Sequence, residues 1–441
     1  MKLTKEDRYI RRRLRMARKQ ARQFYYCRKY PINPRKIVFT TIEGTTGFSC
    51  NPKYIALELL RRRQDLDLVW LVDDMDKDFP TGIRKVKNTL QNRAYELATA
   101  AVWVDNSRKQ LECRKRPGQF YLQTWHASIS NKPIGLQRGA SFSRIARLVT
   151  EHDSRMIDLL VTNSKWVEEH AALGLLYHGK MLRTGSARVD ALLNDRENLR
   201  CKFREKYGLT DDVKIAVYAP TFRSGSQGTD RNPEMQNKLP DFDRLKSSLE
   251  KRFGGVWVLV LRLHPQLTVR HISAGIAEGA NFSVIDASRE DDMCETLGAA
   301  DAMVTDYSAI AFDAAYMGLP VFQYVYDLQD YIGERGHLLF DLDKLPFPYA
   351  EEMEGLCRAI EAFDATAYQQ GLQELWQKTE LKEDGKASAR IADVIEAELY
   401  RRTAAYADSQ SPPLWGRGTA GAVVGVGMSN VSSVSKRREG L

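Results

Sequence analysis

The chain is predicted to be an α/β protein with two Rossmann-like domains in tandem and helices towards its carboxyl end, and three observations predict it. From residue 36 onwards short apolar runs alternate with helical stretches, the pattern of successive βαβ units in a parallel sheet. The alternation halts at a charged, helical joint over 195–208 and then begins again. In both series polar residues gather where predicted strands end, as a cleft between doubly wound sheets requires.

Composition sets the frame for these elements. With 441 residues, 43% of them hydrophobic and 10% aromatic, the chain can bury a large core and divide into two or three domains. No apolar run approaches the roughly 18 residues of a spanning helix, and residues 1–29 lack the apolar centre of a secretory signal. Cys27, Cys50, Cys113, Cys201, Cys294 and Cys357 are dispersed without a CxxC pair. That spacing argues against a zinc knuckle or a disulfide framework and for a reduced, cytoplasmic compartment.

The net charge of +9 is uneven, with twelve Lys or Arg residues before residue 30. Leu3, Ile10, Leu14, Ala17, Ala21 and Phe24 fall at helical spacing and form a thin apolar stripe on this basic helix, residues 1–29. Each basic residue near an anionic leaflet contributes about 1 kcal/mol, so the helix could hold the protein on the inner face of the membrane. A stripe docked on its own domain explains the pattern equally well. No zinc-finger, RNA-sheet or KH signature supports nucleic-acid binding, and none is expected.

The first domain, residues 30–195, is read as strands at 36–40, 68–72, 102–104, 120–124 and 158–162. Helices follow at 51–63 and 89–100, and another starts at Asn163 or Ser164. The second, residues 196–345, has strands at 215–218, 257–263, 283–285, 302–305 and 321–324, with helices near 242–252 and 291–297. Helices over 346–403 come next. Residues 404–441 turn to Ser, Gly, Pro and small residues and are expected to be disordered.

The stretch from Thr305 to Val321 reads as strand, turn, helix and next strand, with Ser308 starting a helix that Gly318 closes and Pro320 ends. The free amides of Ala309 and Ile310, the Ser308 hydroxyl and the helix dipole point to a phosphorylated ligand. Ser308 or Asp306 acting only as a cap is the competing explanation. His126, Arg223 and His264 also follow predicted strands. A lone histidine is more often structural than catalytic, yet this common placement is hard to explain structurally.

Four segments then bring a family into view. Gln123-Thr124-Trp125-His126, Tyr218-Ala219-Pro220-Thr221-Phe222-Arg223, Leu261-Arg262-Leu263-His264-Pro265 and Val304-Thr305-Asp306-Tyr307-Ser308 resemble, in order and spacing, the CDP-glycerol glycerophosphotransferases of teichoic acid synthesis. The resemblance covers roughly residues 37–331. It implies the GT-B arrangement and transfer of a polyol phosphate from CDP-glycerol or CDP-ribitol to a membrane-linked hydroxyl acceptor, with CMP released. By the same resemblance His126 is the general base and His264, with Arg262, serves the donor phosphates. Further substrate contacts are implied for Thr124, Thr221 and Arg223, and for Thr305, Asp306, Ser308 and Ala309. No tightly bound cofactor is implied, with Mg²⁺ beside the diphosphate left open.

Two positions depart from the family pattern. Ala127 stands where glycine is usual and Ala309 where a second serine is usual. A glycine after the histidine would permit a backbone angle that alanine resists. The chain is expected to lack the large extra amino-terminal region of the long polymerising members, which points to a shorter, priming-type or capsule-related transferase. The DxD-like pairs at Asp65/Asp67, Asp76/Asp78, Asp241/Asp243 and Asp341/Asp343 are too many to signal one metal site. Two rival readings share the same sequence: a GT-B glycosyltransferase using a nucleotide sugar, and a non-catalytic basic adaptor for membrane or nucleic acid.

Overall fold

A computed structural model describes residues 3–221, 239–263 and 284–410. Seven strands form the first sheet: β1 (Asn33–Thr40), β2 (Asp67–Val72), β3 (Ile83–Lys87), β4 (Ala100–Asp105), β5 (Phe120–Gln123), β6 (Leu159–Thr162) and β7 (Met181–Arg183). Their spatial order is β3-β2-β1-β4-β5-β6-β7 and every pairing is parallel. The second sheet comprises β8 (Val213–Tyr218), β9 (Val256–Leu261), β10 (Val284–Asp286), β11 (Ala302–Thr305), β12 (Val321–Tyr324) and β13 (Tyr349–Ala350). Its order is β10-β9-β8-β11-β12-β13, again all parallel. Each sheet reverses its winding once, between β1 and β4 and between β8 and β11, and ligand crevices of this fold open at such points.

The central strands are apolar on both faces because helices cover both. Trp70, on β2, is fully buried beside Phe39 with ring centroids 5.4 Å apart, and Phe48 and Phe79 close the same cluster. The edge strand β3, Ile-Arg-Lys-Val-Lys, was absent from the sequence reading because Arg84, Lys85 and Lys87 interrupt its apolar residues. The joint is the helix Arg196–Tyr207, ended by Gly208 at φ +63°, where a side chain would strain the backbone.

Helices Met353–Glu361 and Ala365–Thr379 pack on the second lobe through Leu356, Ile360, Tyr368 and Leu372. The last helix, Ala387–Gln410, does not stay with them. It returns to the first lobe, where Ile391, Ala392, Ile395 and Leu399 join the core of β1, β2 and β4, and Arg62 reaches Asp393 and Glu396. The carboxyl-terminal helices are thus shared between lobes, and the ordered chain passes the expected limit at 403. Residues 411–441 lie outside the described residues.

The basic helix spans Lys5–Cys27 and begins with a capping box between Thr4 and Asp7. Its stripe docks on its own lobe: Ile10, Ala17, Ala21, Phe24 and Cys27 are buried, and Phe24 and Cys27 pack among Ala94, Leu97, Ala98 and Trp103. Most of the apolar stripe is therefore spent inside the molecule, and the exposed surface of the helix is largely cationic, with Leu3, Tyr9, Met16, Tyr25 and Tyr26 also exposed. No described helix is long and apolar enough to cross a membrane.

Between the lobes, Lys53 lies 2.8 Å from Asp292 and 2.6 Å from Glu295, and the Tyr54 hydroxyl donates to Asp292 at 2.7 Å. Two Rossmann-like lobes facing each other across a cleft are the arrangement expected.

Candidate active site

The carboxyl ends of β5, β8 and β11 open on one cleft of about 660 Å³. The first lobe contributes Asn106, Thr124, His126, Ser128 and Arg188; the second contributes Thr221, Arg262, Ser308, Ala309 and Ile310.

His126 leaves the sheet just beyond β5 on a loop held by its main chain. The Trp125 N–H donates to Gln123 Oε1 at 2.9 Å, and the Trp125 carbonyl accepts from Asn51 Nδ2 at 3.0 Å. Trp125 sits at φ +51°, a left-handed conformation that costs a bulky residue about 1–3 kcal/mol and persists only where neighbours enforce it. Ala127 is not among the residues with positive φ, so the angle a glycine would have eased is needed at Trp125 and alanine fits at 127.

The His126 Nδ1 lies 2.9 Å from the carbonyl oxygen of Asn106. A carbonyl can only accept, so Nδ1 carries the proton and Nε2 keeps its lone pair. Among the described residues Nε2 has no protein partner. His126 is exposed on the cleft side, and protein atoms crowd the rest of the ring. That enclosure lowers its pKa from 6.5 to about 4, opposed by the Asn106 carbonyl and assisted by the charges of Arg188, Lys132 and Arg108. Water on the open side tempers the fall, but the direction keeps the imidazole neutral and able to accept a proton at neutral pH.

The structure gives several of the expected substrate contacts another task. Thr305 is fully buried and its hydroxyl donates to the Ala219 carbonyl at 2.7 Å. Asp306 is also buried; its oxygens accept the Thr221 N–H at 2.9 Å and the Thr221 hydroxyl at 2.6 Å. These bonds lock the loop after β8 to the loop after β11, and neither Thr305 nor Asp306 lines the cleft. Arg262 does line it, but its guanidinium donates to the carbonyls of Ala287 and Ser288 at 3.0 and 2.9 Å and to that of Glu290. Its charge braces that loop. The Thr124 hydroxyl is likewise occupied by the carbonyls of Asp105 and Trp125.

Ser308 and Ala309 line the cleft as expected, although the helix begins two residues late, at Ile310–Tyr316, with Ala309 as its cap. Gly318, at φ +70°, closes it, and the Leu319 N–H returns to the Ala314 carbonyl. Among the described residues the Ser308 hydroxyl and the amides of Ala309 and Ile310 have no protein partner. Arg223 and His264 lie outside the described residues.

Five of the eight DxD-like acids have structural partners. Asp65 pairs with Arg63, Asp67 with Arg84 and Asp341 with Lys344, Asp241 caps the helix Phe242–Phe253, and Asp343 accepts from the Tyr349 hydroxyl. Among the described residues no cluster of His, Cys, Asp and Glu could hold a metal ion. Sequence reasoning missed Arg188, Asp313 and Tyr316, which join the lobes behind the cleft. Arg188 and Asp190, two charged residues among Ala187, Val189, Ala191, Leu192 and Leu193 in the helix Ala187–Asn194, were the available signal.

Residues 22–397 match the family model described as CDP-Glycerol:Poly(glycerophosphate) glycerophosphotransferase. The chain belongs to that family. Among curated relatives of this glycerophosphotransferase family, the teichoic acid poly(glycerol phosphate) polymerase of Staphylococcus epidermidis is 27% identical over 383 residues. That match takes in 83% of this chain and 51% of the relative. The teichoic acid glycerol-phosphate transferase of Staphylococcus aureus is 28% identical over 383 residues, covering 82% of this chain and 93% of the relative. The chain thus spans about half the length of the first relative and nearly all of the second. Among solved structures, the wall teichoic acid polymerase TagF superposes with a TM-score of 0.72 at 25% identity, over 87% of this chain and 95% of that one.

Proposed function

We propose that this chain transfers a polyol phosphate, glycerol phosphate foremost, from a CDP-activated donor to a hydroxyl acceptor in the synthesis of teichoic acid or a related cell-surface polymer. The single observation that carries the reading is the His126 imidazole, with Nδ1 occupied by Asn106 and Nε2 unpaired, on a cleft shared with the unpartnered donors at 308–310. Family membership and the names of the relatives supply the donor class. In this scheme Nε2 takes the proton of the acceptor hydroxyl as its oxygen attacks the β-phosphorus of CDP-glycerol. The new P–O bond forms as the bond to the bridging oxygen breaks, and CMP leaves with that electron pair. The Ser308 hydroxyl and the amides of Ala309 and Ile310 stabilise the phosphate charge.

Calorimetry with CDP-glycerol, CDP-ribitol and a UDP-sugar tests the donor, and tight binding of the UDP-sugar alone would sink the reading. The pH profile tests the base. His126 must be unprotonated to act, so the acidic limb of turnover is expected below pH 6.5. Acid also weakens the fold through this group, because the unfolded chain takes up the proton at about 6.5 while the folded one, its pKa lowered, resists to lower pH. Stability therefore declines as pH falls through that window, and turnover is to be compared on protein shown by circular dichroism to be folded.

The reading includes a place of work on the inner membrane face. Arg8, Arg12, Arg15 and Lys19 follow at i, i+4, i+7 and i+11, opposite the buried Ile10, Ala17, Ala21 and Phe24. All four are exposed, and among the described residues none has a carboxylate partner. Replacing the four with glutamine is expected to weaken binding to phosphatidylglycerol vesicles at low salt by roughly 10³-fold, at about 1 kcal/mol each. Thermal stability should not move. Co-sedimentation that survives the substitutions would remove this part of the proposal.

A further inference from the structure

The helix Ile310–Tyr316 follows Ser308 at the cleft and carries Asp313 and Tyr316 three residues apart, on one face. Both reach the other lobe. Asp313 is buried and meets Arg188 at 3.0 Å through Oδ1 and 2.9 Å through Oδ2. The Tyr316 hydroxyl lies 3.1 Å from Ser128 Oγ and accepts from Asn163 Nδ2 at 3.1 Å. Ser128 is two residues beyond His126.

Arg188 does more than neutralise Asp313. Its second guanidinium nitrogen donates to the main-chain carbonyl of His126, and its own N–H donates to Asn51 Oδ1 at 3.0 Å. The same Asn51 holds the carbonyl of Trp125. Two consecutive carbonyls of the strained 125–126 turn are thereby pinned by one buried cluster, and that cluster is ion-paired to the helix following Ser308. A guanidinium suits this task because its planar fork serves a carboxylate and a carbonyl at once, which a lysine cannot do.

We infer that Arg188 and Asp313, with Tyr316 beside them, form a positioning bridge that sets the His126 loop in register with the Ser308 helix. The inference rests on the function proposed above for its catalytic meaning, while the bridge itself rests on geometry. A buried cation and anion are costly to remove from water, and replacing such a pair with apolar residues is often neutral or stabilising. The pair is therefore not needed to hold the lobes together. What no apolar pair supplies is a donor to the His126 carbonyl, and a displacement of about 1 Å at a reacting group can lower a rate about 10²-fold.

The test uses the full chain and the double variant Arg188→Met/Asp313→Leu, since a single substitution would strand a buried charge and could fail to fold. The histidines, seven in all, are labelled with ¹³C at Cε1 and titrated by NMR, with His126→Ala assigning the resonance. In the folded double variant the His126 titration is expected to rise from its low wild-type value towards 6.5, because a neighbouring cation is gone and the loop is loosened. CMP release from CDP-glycerol is expected to fall about 10- to 100-fold with KM for the donor little changed, and Arg188→Lys should recover only part of it. A folded double variant that titrates as wild type, or keeps wild-type turnover where the wild type turns over, overturns the bridge. If the wild type releases no CMP at all, the proposed function fails, and the bridge is still decided by the titration.

Discussion

His126→Ala is expected to lower CMP release from CDP-glycerol by about 10²- to 10⁴-fold, the span that a positioned general base contributes. The size follows from the ring's protonation. Because Nδ1–H donates to the Asn106 carbonyl, the one basic nitrogen is Nε2, and the partly desolvated setting keeps it neutral near pH 7. No other histidine lines the cleft near the 308–310 donors except His170, whose Nδ1 is 2.7 Å from the Trp166 carbonyl and whose ring stacks on Trp166 with centroids 3.9 Å apart, among the described residues. Alanine leaves untouched the main-chain carbonyl that Arg188 holds, so the loop should keep its course. Donor affinity, which this scheme assigns to the other lobe, should change by less than about threefold. Stopped-time CMP assays with calorimetry on the same preparation check both halves. Full turnover in the variant would mean that the proton leaves by another route.

Asp306→Ala is expected to cost the fold roughly 2–5 kcal/mol and to weaken CDP-glycerol binding at least about tenfold. Asp306 accepts both the amide and the hydroxyl of Thr221, and its carbonyl accepts Gln323 Nε2 at 2.6 Å. Alanine would leave the Thr221 donors buried without their acceptor, each at about 1–3 kcal/mol. The loops after β8 and β11 would then lose the tie that sets Thr221 beside Ser308. Asp306→Asn keeps one acceptor oxygen and should recover part of both losses. Urea denaturation followed by tryptophan fluorescence, with donor titration alongside, measures them. Unchanged stability with lost binding would instead make Asp306 a ligand contact.

Expectation and structure agree best where a segment's own chemistry decides its conformation. Buried parallel strands read as unbroken apolar runs, so β8, β9 and β11 were found within two residues of their ends. β3 was missed because Arg84, Lys85 and Lys87 interrupt its apolar residues, and β7 because its three residues are too few to make a run. Ser308 was found as a donor at the cleft but not as the residue two before a helix, since a serine before an apolar stretch predicts either. The thin stripe on the basic helix announced burial without naming the surface it would meet.

The amino-acid sequence alone determined the two βαβ series, the joint between them and the family, and it set His126 at the end of a strand, because periodicity, turn chemistry and local motifs are properties of neighbouring residues. Only the tertiary structure decided which polar groups line the cleft and which face each other. Thr305 and Asp306 turned inward to hold loops and Arg262 braced a loop from the cleft wall, while Arg188 and Asp313, 125 positions apart in the chain, met behind the cleft. A hydrogen bond of that kind depends on where two distant segments come to rest, and a carboxylate at the end of a strand looks the same in sequence whether it will meet a ligand or a neighbouring amide.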